Sequence, residues 1–188
     1  MMAGWQGSDG QRLGWEHAAP SPMAGARQPS RAGMVRWVVI ALALACYGVA
    51  CAVPALAFDA VYHQSSRPEP SVYSGGGLLA LGWLAVLYGQ VAWFANPALA
   101  CSLVLTAARR WRAAAALALV ALLLAAALLL FNRQHIPANE GGTADLILLR
   151  PLLGCYLWLG SIVVAGLGAL LGLATDRRLR LMAARRDR

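Results

Sequence analysis

Two amide side chains, Gln90 and Asn96, are the residues of this sequence best placed to do chemistry in an apolar environment. They lie within one long run of apolar residues, and Pro97 follows Asn96 directly. An amide in a membrane interior needs a hydrogen-bond partner, which a neighbouring helix or a bound ligand can supply. Pro97 has no amide hydrogen, so it is expected to kink a helix about one turn earlier. Gln90, Asn96 and Pro97 are therefore the candidate intramembrane site.

Asn96 has a structural and a functional interpretation. It shares the spacing of one helix face with Ala85, Gly89 and Ala92, so a continuous helix would turn its amide toward a packed neighbour. Hydrogen bonds of this kind contribute only about 0.6 kcal/mol on average, and structural support is the preferred interpretation. The alternative is a small-molecule or lipid-headgroup site that Gln90 and Asn96 line beside the kink.

The cysteines do not have the pattern of a redox centre. Thiol–disulfide chemistry needs an accessible thiolate with a second cysteine close by. The sequence has no Cys-x-x-Cys pair, and the two connections predicted to lie outside the membrane have no cysteine. The cysteines fall in apolar stretches, where a thiol packs as a small hydrophobic group. They are Cys46, Cys51, Cys101 and Cys155.

Titratable groups are missing from the interior of the apolar stretches, which contain no Asp, Glu, Lys or His. Because such groups couple proton movement to transport, the sequence argues against a proton-coupled carrier. A mixed histidine and carboxylate metal site is chemically possible where the connections meet, but its members lack a tight motif spacing. These members are Asp59, His63, Glu69, His135, Glu140 and Asp145. No nucleophile elbow or phosphate loop is present either, so we predict no metal, no cofactor and no catalytic residue.

Four apolar stretches must position these residues, at 37–58, 78–108, 113–131 and 152–174. Each reaches the roughly 20 residues that a helix needs to cross a membrane. The composition agrees, because 60% of the 188 residues are hydrophobic and 13% are charged, against about one quarter charged in a soluble domain. The prediction is an all-α, polytopic membrane protein with four transmembrane helices in a bundle.

Arginines set the predicted orientation, because basic segments beside membrane spans stay in the cytoplasm. They concentrate before the first stretch, between the second and third, and after the fourth. They are Arg27, Arg31 and Arg36, then Arg109, Arg110 and Arg112, then Arg177, Arg178, Arg180, Arg185, Arg186 and Arg188. We predict a multi-pass protein of a bacterial inner membrane with both termini cytoplasmic. The net charge of +8 is assigned to this topology and to anionic lipid headgroups of the bilayer, not to nucleic acid.

Three regions are predicted along the chain. Residues 1–34 are rich in Gly, Ser, Pro and Gln and form a disordered cytoplasmic tail, 35–176 form the transmembrane domain, and 177–188 form a basic cytoplasmic tail. Translation from Met34 is an alternative start.

The end of the first span has a second interpretation, because Ala55-Leu56-Ala57 matches the pattern that signal peptidase cleaves. An uncleaved span is favoured over cleavage after Ala57, since the apolar run is longer than a usual signal core. Small residues also form a stripe on one face of this span, suited to close helix packing. They are Ala41, Ala45, Gly48 and Ala52.

Further local features are predicted outside the first span. The second stretch has about 31 residues, or roughly 46 Å as a helix, so 77–87 is expected at the outer interface and the embedded part begins near Tyr88. Thr143 is predicted to cap a short helix over 144–149. The fourth span has its own small-residue stripe: Gly154, Ser161, Ala165, Gly168 and Gly172.

The sequence therefore predicts a non-catalytic accessory or interaction protein that packs against itself or another membrane protein. The alternative function is transport or binding of a small molecule or lipid in a cavity near Gln90 and Asn96.

Overall fold

The computed structural model describes residues 31–62, 69–130, 136–137 and 144–186. Its α-helices are α1 (Arg31–Ala52), α2 (Gly75–Leu81), α3 (Ala95–Ala107), α4 (Trp111–Leu130) and α5 (Leu153–Arg186). Two 3-10 segments, Gly82–Tyr88 and Ala92–Phe94, connect α2 to α3. The strands are β1 (Pro54–Tyr62), β2 (Glu69–Ser74), β3 (Ile136–Pro137) and β4 (Ala144–Pro151). The predictions for residues 1–30, His63, His135, Glu140 and Thr143 lie outside the described residues.

Among the described residues, three helices are long and apolar enough to cross a membrane: Gly33–Ala52 in α1, Trp111–Leu128 in α4 and Leu153–Met182 in α5. Only 17%, 22% and 28% of their most apolar windows is buried inside the protein. Apolar surface of this extent needs hydrocarbon around it. The chain is therefore a membrane-embedded, mostly helical protein, as the sequence predicts.

The second predicted span, 78–108, is not one helix. Gly89 adopts a left-handed conformation with φ of +81° and ends the first 3-10 segment, a conformation that glycine reaches without strain. The chain then re-enters helical structure at Ala92 and continues through α3. Pro97 lies in the first turn of α3, where its missing amide hydrogen costs no helical bond. The predicted kink at Pro97 is therefore wrong, and the break lies further back, at Gly89.

The all-α prediction is also wrong at one end of the molecule, where a four-stranded sheet has the order β2-β1-β4-β3. All three neighbouring pairs are antiparallel. The first span ends at Ala52 and not at residue 58, and Pro54 opens the central strand. Residues 144–149, predicted as a helix, belong to β4 and pair with β1, for example Leu148 with Phe58.

β1 is apolar and buried on both faces, since the consecutive residues from Ala55 to Phe58 are all buried. Leu56 and Phe58 lie two residues apart, so they share one face. Leu146 and Leu148 of β4 pack against the same cluster. This apolar face covers the end of the helical bundle and buries Cys155 of α5.

The bundle has one buried core to which α1, α3, α4 and α5 all contribute. Small residues dominate it, because closely approaching helices leave room for little more than a methyl group. Its buried members are Ile40, Ala43, Ala95, Leu99, Leu103, Ala121, Ala125, Ile162 and Ala165. α3 is therefore packed within the bundle although its apolar length is shorter than that of the other three.

The predicted stripe on the fourth span packs as expected. A Cβ added at Gly168 would clash with Val39 of α1, and one added at Gly172 would clash with the Trp111 ring of α4. A Cβ at Gly154 would lie 3.0 Å from the Ala50 carbonyl oxygen. Close contact between α5 and its neighbours therefore depends on these glycines.

The small-residue stripe of α1 does not pack inside the molecule. Ala41, Ala45, Gly48 and Ala52 are all exposed, and a Cβ added at Gly48 would meet nothing within 4 Å. This face of α1 is turned away from the bundle.

Gly75 begins α2 and lies in close contact with the end of α1. Its backbone nitrogen donates to Val53 oxygen at 3.1 Å, and a Cβ there would clash with the Ala50 carbonyl. Ser74 caps the helix by accepting from Gly77 nitrogen at 3.2 Å.

Most of the described arginines gather at the end of the bundle opposite the sheet, whereas Arg150 lies in β4. Arg36 Nη1 of α1 donates to the carbonyl oxygen of Ala107, in the last turn of α3, at 2.9 Å. Arg109 adopts a positive φ of 59° in the short turn between α3 and α4. α5 continues through the predicted basic tail to Arg186, with an Asp176–Arg180 ion pair of 2.9 Å on its surface.

Candidate functional site

A cavity of about 160 Å³ lies where the sheet covers the bundle. Its walls come from the end of α1, from β1 and β4, from the segment between α2 and α3, and from the start of α5. The lining residues include Tyr47, Cys51, Leu56, Phe58, Gln90, Ala92, Trp93, Asn96, Leu148, Cys155 and Trp158. The lining is mainly apolar, with a few amide, hydroxyl, indole and thiol groups.

The sheet forms the roof of the cavity. Leu56 and Phe58 of β1 and Leu148 of β4 all line it. The Phe58 ring stacks edge-on against Tyr73 of β2, with ring centroids 5.5 Å apart and an interplanar angle of 88°. This contact fixes the Phe58 ring against the neighbouring strand.

Trp93 holds the segment between α2 and α3 against the cavity. Its indole Nε1 donates to the Leu79 carbonyl oxygen at 2.9 Å, which joins the second 3-10 segment to α2. Gly82 gives the indole room, because a Cβ there would lie 3.0 Å from Trp93 Cδ1. The chain from α2 to α3 is therefore folded back on itself beside the cavity.

Asn96 links three helices through one oxygen atom. Its Oδ1 accepts from Trp158 Nε1 of α5 at 2.9 Å and from Tyr47 Oη of α1 at 3.2 Å. An indole nitrogen can only donate, so this contact fixes which end of the amide faces Trp158. The amide of Asn96 therefore contacts two neighbouring helices through its oxygen. The hydrogens that this amide can donate are on Nδ2.

Gln90 reaches the same cavity by a route that the sequence did not predict. The left-handed turn at Gly89 precedes it, and the Gln90 nitrogen donates to Ala85 oxygen at 3.0 Å. Its side chain is only 6% exposed. On a continuous helix Gln90 and Asn96 would diverge around the axis, and the break between them lets both line one cavity. Pro97, the third candidate, is exposed and is not among the cavity residues.

Two of the cysteines, Cys51 and Cys155, line the cavity from opposite helices, α1 and α5. All four cysteines are free thiols. Cys101 is exposed on the outer surface of α3. The two thiols in the wall add polarizable, weakly polar surface to an otherwise hydrocarbon lining.

Two buried serine hydroxyls outside the cavity serve the helices. Ser102 Oγ donates to Ala114 oxygen of α4 at 2.8 Å, and Ser161 Oγ donates to Trp158 oxygen within α5 at 2.6 Å. These contacts support packing. Thr106 is also buried, at 1% exposed, and its hydroxyl has no hydrogen-bond partner among the described residues.

The two outer connections do meet, since β1 and β4 are adjacent strands. Val61 of β1 pairs with Asp145 of β4, and Ala60 pairs with Glu69 of β2. Over the described parts of the chain, no three histidine, cysteine or carboxylate side chains come close enough together to hold a metal ion.

Comparisons with protein families, curated proteins and solved structures give no match to this chain. The cavity combines an apolar lining with two amides and an aromatic hydroxyl, a composition that is common in small-molecule sites.

Sequence reasoning found Gln90 and Asn96 but missed Tyr47 and Trp158. Tyr47 is the one strongly polar side chain in the apolar core of α1 apart from its cysteines, which was a usable signal. Trp158 stands near the end of its span, where tryptophan is an ordinary interfacial anchor, so the sequence alone gives it no special role. Its role depends on a hydrogen bond to a residue 62 positions away, which sequence spacing does not encode.

Proposed function

We propose that this protein binds a small, largely apolar molecule in the cavity beneath the sheet, and that it does so as a non-catalytic, multi-pass protein of a bacterial inner membrane. One observation carries the proposal: Gln90 and Asn96, the two strongly polar side chains of the second apolar stretch, line the same cavity. Structural support alone would account for Asn96, which bonds two helices, but not for a shared cavity.

The size and lining of the cavity define the ligand. A cavity of about 150 Å³ with an apolar lining holds a molecule as large as benzene, and the volume here is about 160 Å³. The ligand is therefore a small ring or the end of a longer apolar chain. The Asn96 amide selects a ligand that carries a hydrogen-bond acceptor, because its oxygen is already used and its Nδ2 can donate.

A binding role fits the lining better than catalysis. The described cavity residues include no carboxylate, imidazole or amine, which are the groups that most often transfer protons in enzymes. Amides and an aromatic hydroxyl orient a ligand by hydrogen bonding.

Four membrane crossings with both termini in the cytoplasm complete the proposal. α3 supports a fourth crossing because Leu99 and Leu103 are buried in the core shared with the three longer helices. From Ala92 to Ala107 the helix has about 16 residues, or roughly 24 Å. Local thinning of the bilayer accommodates a span that falls a few ångströms short of the roughly 30 Å core.

The position of β1 supports an uncleaved first span. Ala57 lies in the central strand, is 8% exposed, and pairs with Val72 and Arg150 on either side. Cleavage after Ala57 would divide this strand and separate α1 from the cavity it lines.

The proposal is tested with phenol, a ring-sized probe with one hydroxyl, added to the purified full-length protein in detergent. Phenol should raise the thermal unfolding midpoint of the natural protein. Ala92→Leu should abolish the shift, because Ala92 is 7% exposed and lines the cavity, so the larger side chain fills the space that phenol would occupy.

Val104→Leu is the control, because Val104 of α3 is 66% exposed and does not line the cavity. This variant should keep the full phenol shift. An equal shift in Ala92→Leu and Val104→Leu would mean that phenol acts through the detergent or the outer surface, and cavity binding would be contradicted.

A second candidate function, an accessory or interaction protein, is favoured by α1. Its small-residue face is exposed, and nothing lies within 4 Å of a Cβ at Gly48. Small residues on an exposed helix face suit close packing against another membrane helix, from a second copy or another protein. If the phenol experiment contradicts cavity binding, the accessory or interaction role becomes the better supported function.

A further inference from the structure

We infer that the end of the bundle opposite the sheet holds a binding site for the phosphate group of an anionic lipid. The site is an open depression of about 430 Å³ between the α3–α4 turn and α5. Its arginines are Arg109, Arg110, Arg112, Arg177 and Arg180, and we call it the arginine basin. It lies apart from the cavity beneath the sheet and does not depend on that cavity's function.

The positive charge of the arginine basin favours the binding of an anion. Five arginines and one acid, Asp176, line it, so its formal charge is 5 − 1 = +4. Asp176 is already paired with Arg180 at 2.9 Å. Like charges held this close repel one another, and a bound anion removes the repulsion. Guanidinium groups favour phosphate because they bind two of its oxygens at once.

The backbone adds donors at the same place. The left-handed Arg109, with φ of 59°, turns the chain sharply from α3 into α4. α4 begins at Trp111, and the first bond into it is donated by Ala114 nitrogen to Arg110 oxygen at 2.9 Å. The N–H groups of the preceding residues have no partner within the helix, and helix N-termini of this kind bind phosphate. Trp111, Arg112 and Ala113 all line the basin.

Apolar residues among those lining the basin favour a lipid as the source of the phosphate. Trp111, Ala113 and Leu173 line it, and the Trp111 ring lies directly over Gly172. Below the basin, Leu170 and Leu171 are 53% and 60% exposed, so acyl chains can run along α5. Arginines above an apolar floor match the boundary where lipid phosphates lie.

The test uses the purified full-length protein in a neutral detergent, with phosphatidylglycerol, phosphatidylcholine and inorganic phosphate as separate probes. Native mass spectrometry measures bound lipid, and the thermal unfolding midpoint measures stabilisation. Phosphatidylglycerol should bind and stabilise the protein, and the other two probes should do so far more weakly. Inorganic phosphate that stabilises as strongly as phosphatidylglycerol would overturn the assignment to a lipid.

A matched pair of variants separates a defined site from general basicity. The basin variant combines Arg112→Gln with Arg177→Gln, one from each wall. The control combines Arg178→Gln with Arg185→Gln, which removes the same charge from α5 at positions that do not line the basin. At about fivefold in affinity per arginine, the basin variant should lose roughly 25-fold.

The control should lose clearly less than the basin variant. Equal losses in the two variants would show attraction by net charge alone and overturn the site. All four side chains are exposed, and the corresponding single variants provide the same comparison if a double variant accumulates poorly in the membrane.

Discussion

The amide oxygen of Asn96 is the point where α1, α3 and α5 are joined by side-chain hydrogen bonds. Trp158 Nε1 and Tyr47 Oη both donate to it, at 2.9 and 3.2 Å. Interhelical hydrogen bonds in membranes average only about 0.6 kcal/mol. Removing a shared acceptor, however, leaves two donors without a partner, and each unpaired donor costs about 1–3 kcal/mol.

Asn96→Leu should therefore lower the free energy of unfolding in detergent by about 2 kcal/mol, and Trp158→Phe by about 1 kcal/mol. The double variant should lose less than the sum, because it lacks the indole donor that Asn96→Leu alone leaves unpaired. Ser161→Ala is the control for this coupling, since the Ser161 hydroxyl bonds only within α5. Its loss should add to that of Asn96→Leu. Strictly additive losses would contradict the coupling of Asn96 to Trp158.

At the scale of elements, composition alone predicts α1, α4 and α5. Their apolar runs exceed the length of a membrane span, and one segment can satisfy all its own backbone hydrogen bonds in lipid only as a helix. The strands escape prediction because a short apolar run such as 146–149 is equally typical of a buried strand and of a helix. Pairing with β1 decides in favour of a strand. In this pairing Leu148 lies opposite Phe58, which is distant from it in the sequence.

The candidate site was predicted in part for the same reason. Gln90 and Asn96 are polar residues in an apolar run, which the sequence displays directly. Their convergence depends on the left-handed Gly89, and a helical spacing rule assumes that no such break exists. Gly89 itself stands in the sequence, but its left-handed conformation between two 3-10 segments is known only from the backbone.

Two glycines of α5 provide a test of how closely this helix approaches its neighbours. A Cβ at Gly154 would lie 2.9 Å from Pro54 oxygen and 3.0 Å from Ala50 oxygen, whereas one at Gly160 would meet nothing within 4 Å. Gly154→Ala should lower the free energy of unfolding by about 2 kcal/mol, because the contacting atoms are backbone and cannot move aside.

Gly160→Ala is the matched control on the same helix. It should be neutral or stabilising by up to about 1 kcal/mol, since alanine favours a helix over glycine. Thermal unfolding in detergent measures both. A loss at Gly160 equal to that at Gly154 would indicate that α5 tolerates no alanine and that the Ala50 contact is not the cause.

At the scale of the whole molecule, the fold separates its two ends. Arg36 Nη1 bonds Ala107 oxygen, which holds the start of α1 beside the end of α3. β1 pairs with β4, which holds the end of α1 beside the start of α5. Apart from Arg150 of β4, the described arginines lie at the first end and the sheet lies at the second. The positive-inside rule therefore predicts that the first end faces the cytoplasm.

This separation predicts how topology reporters must agree with one another. Reporters fused after Arg112 and after Arg186 should both be cytoplasmic, because the α3–α4 turn and the end of α5 share the arginine end. Reporters inserted near Arg67 and Ala138 should both be external, because both connections join strands of one sheet. Activity of a periplasmic phosphatase and fluorescence of a cytoplasmic reporter read the two sides. An external signal after Arg112 would mean that α3 does not cross the membrane, and disagreement between Arg67 and Ala138 would contradict the sheet itself.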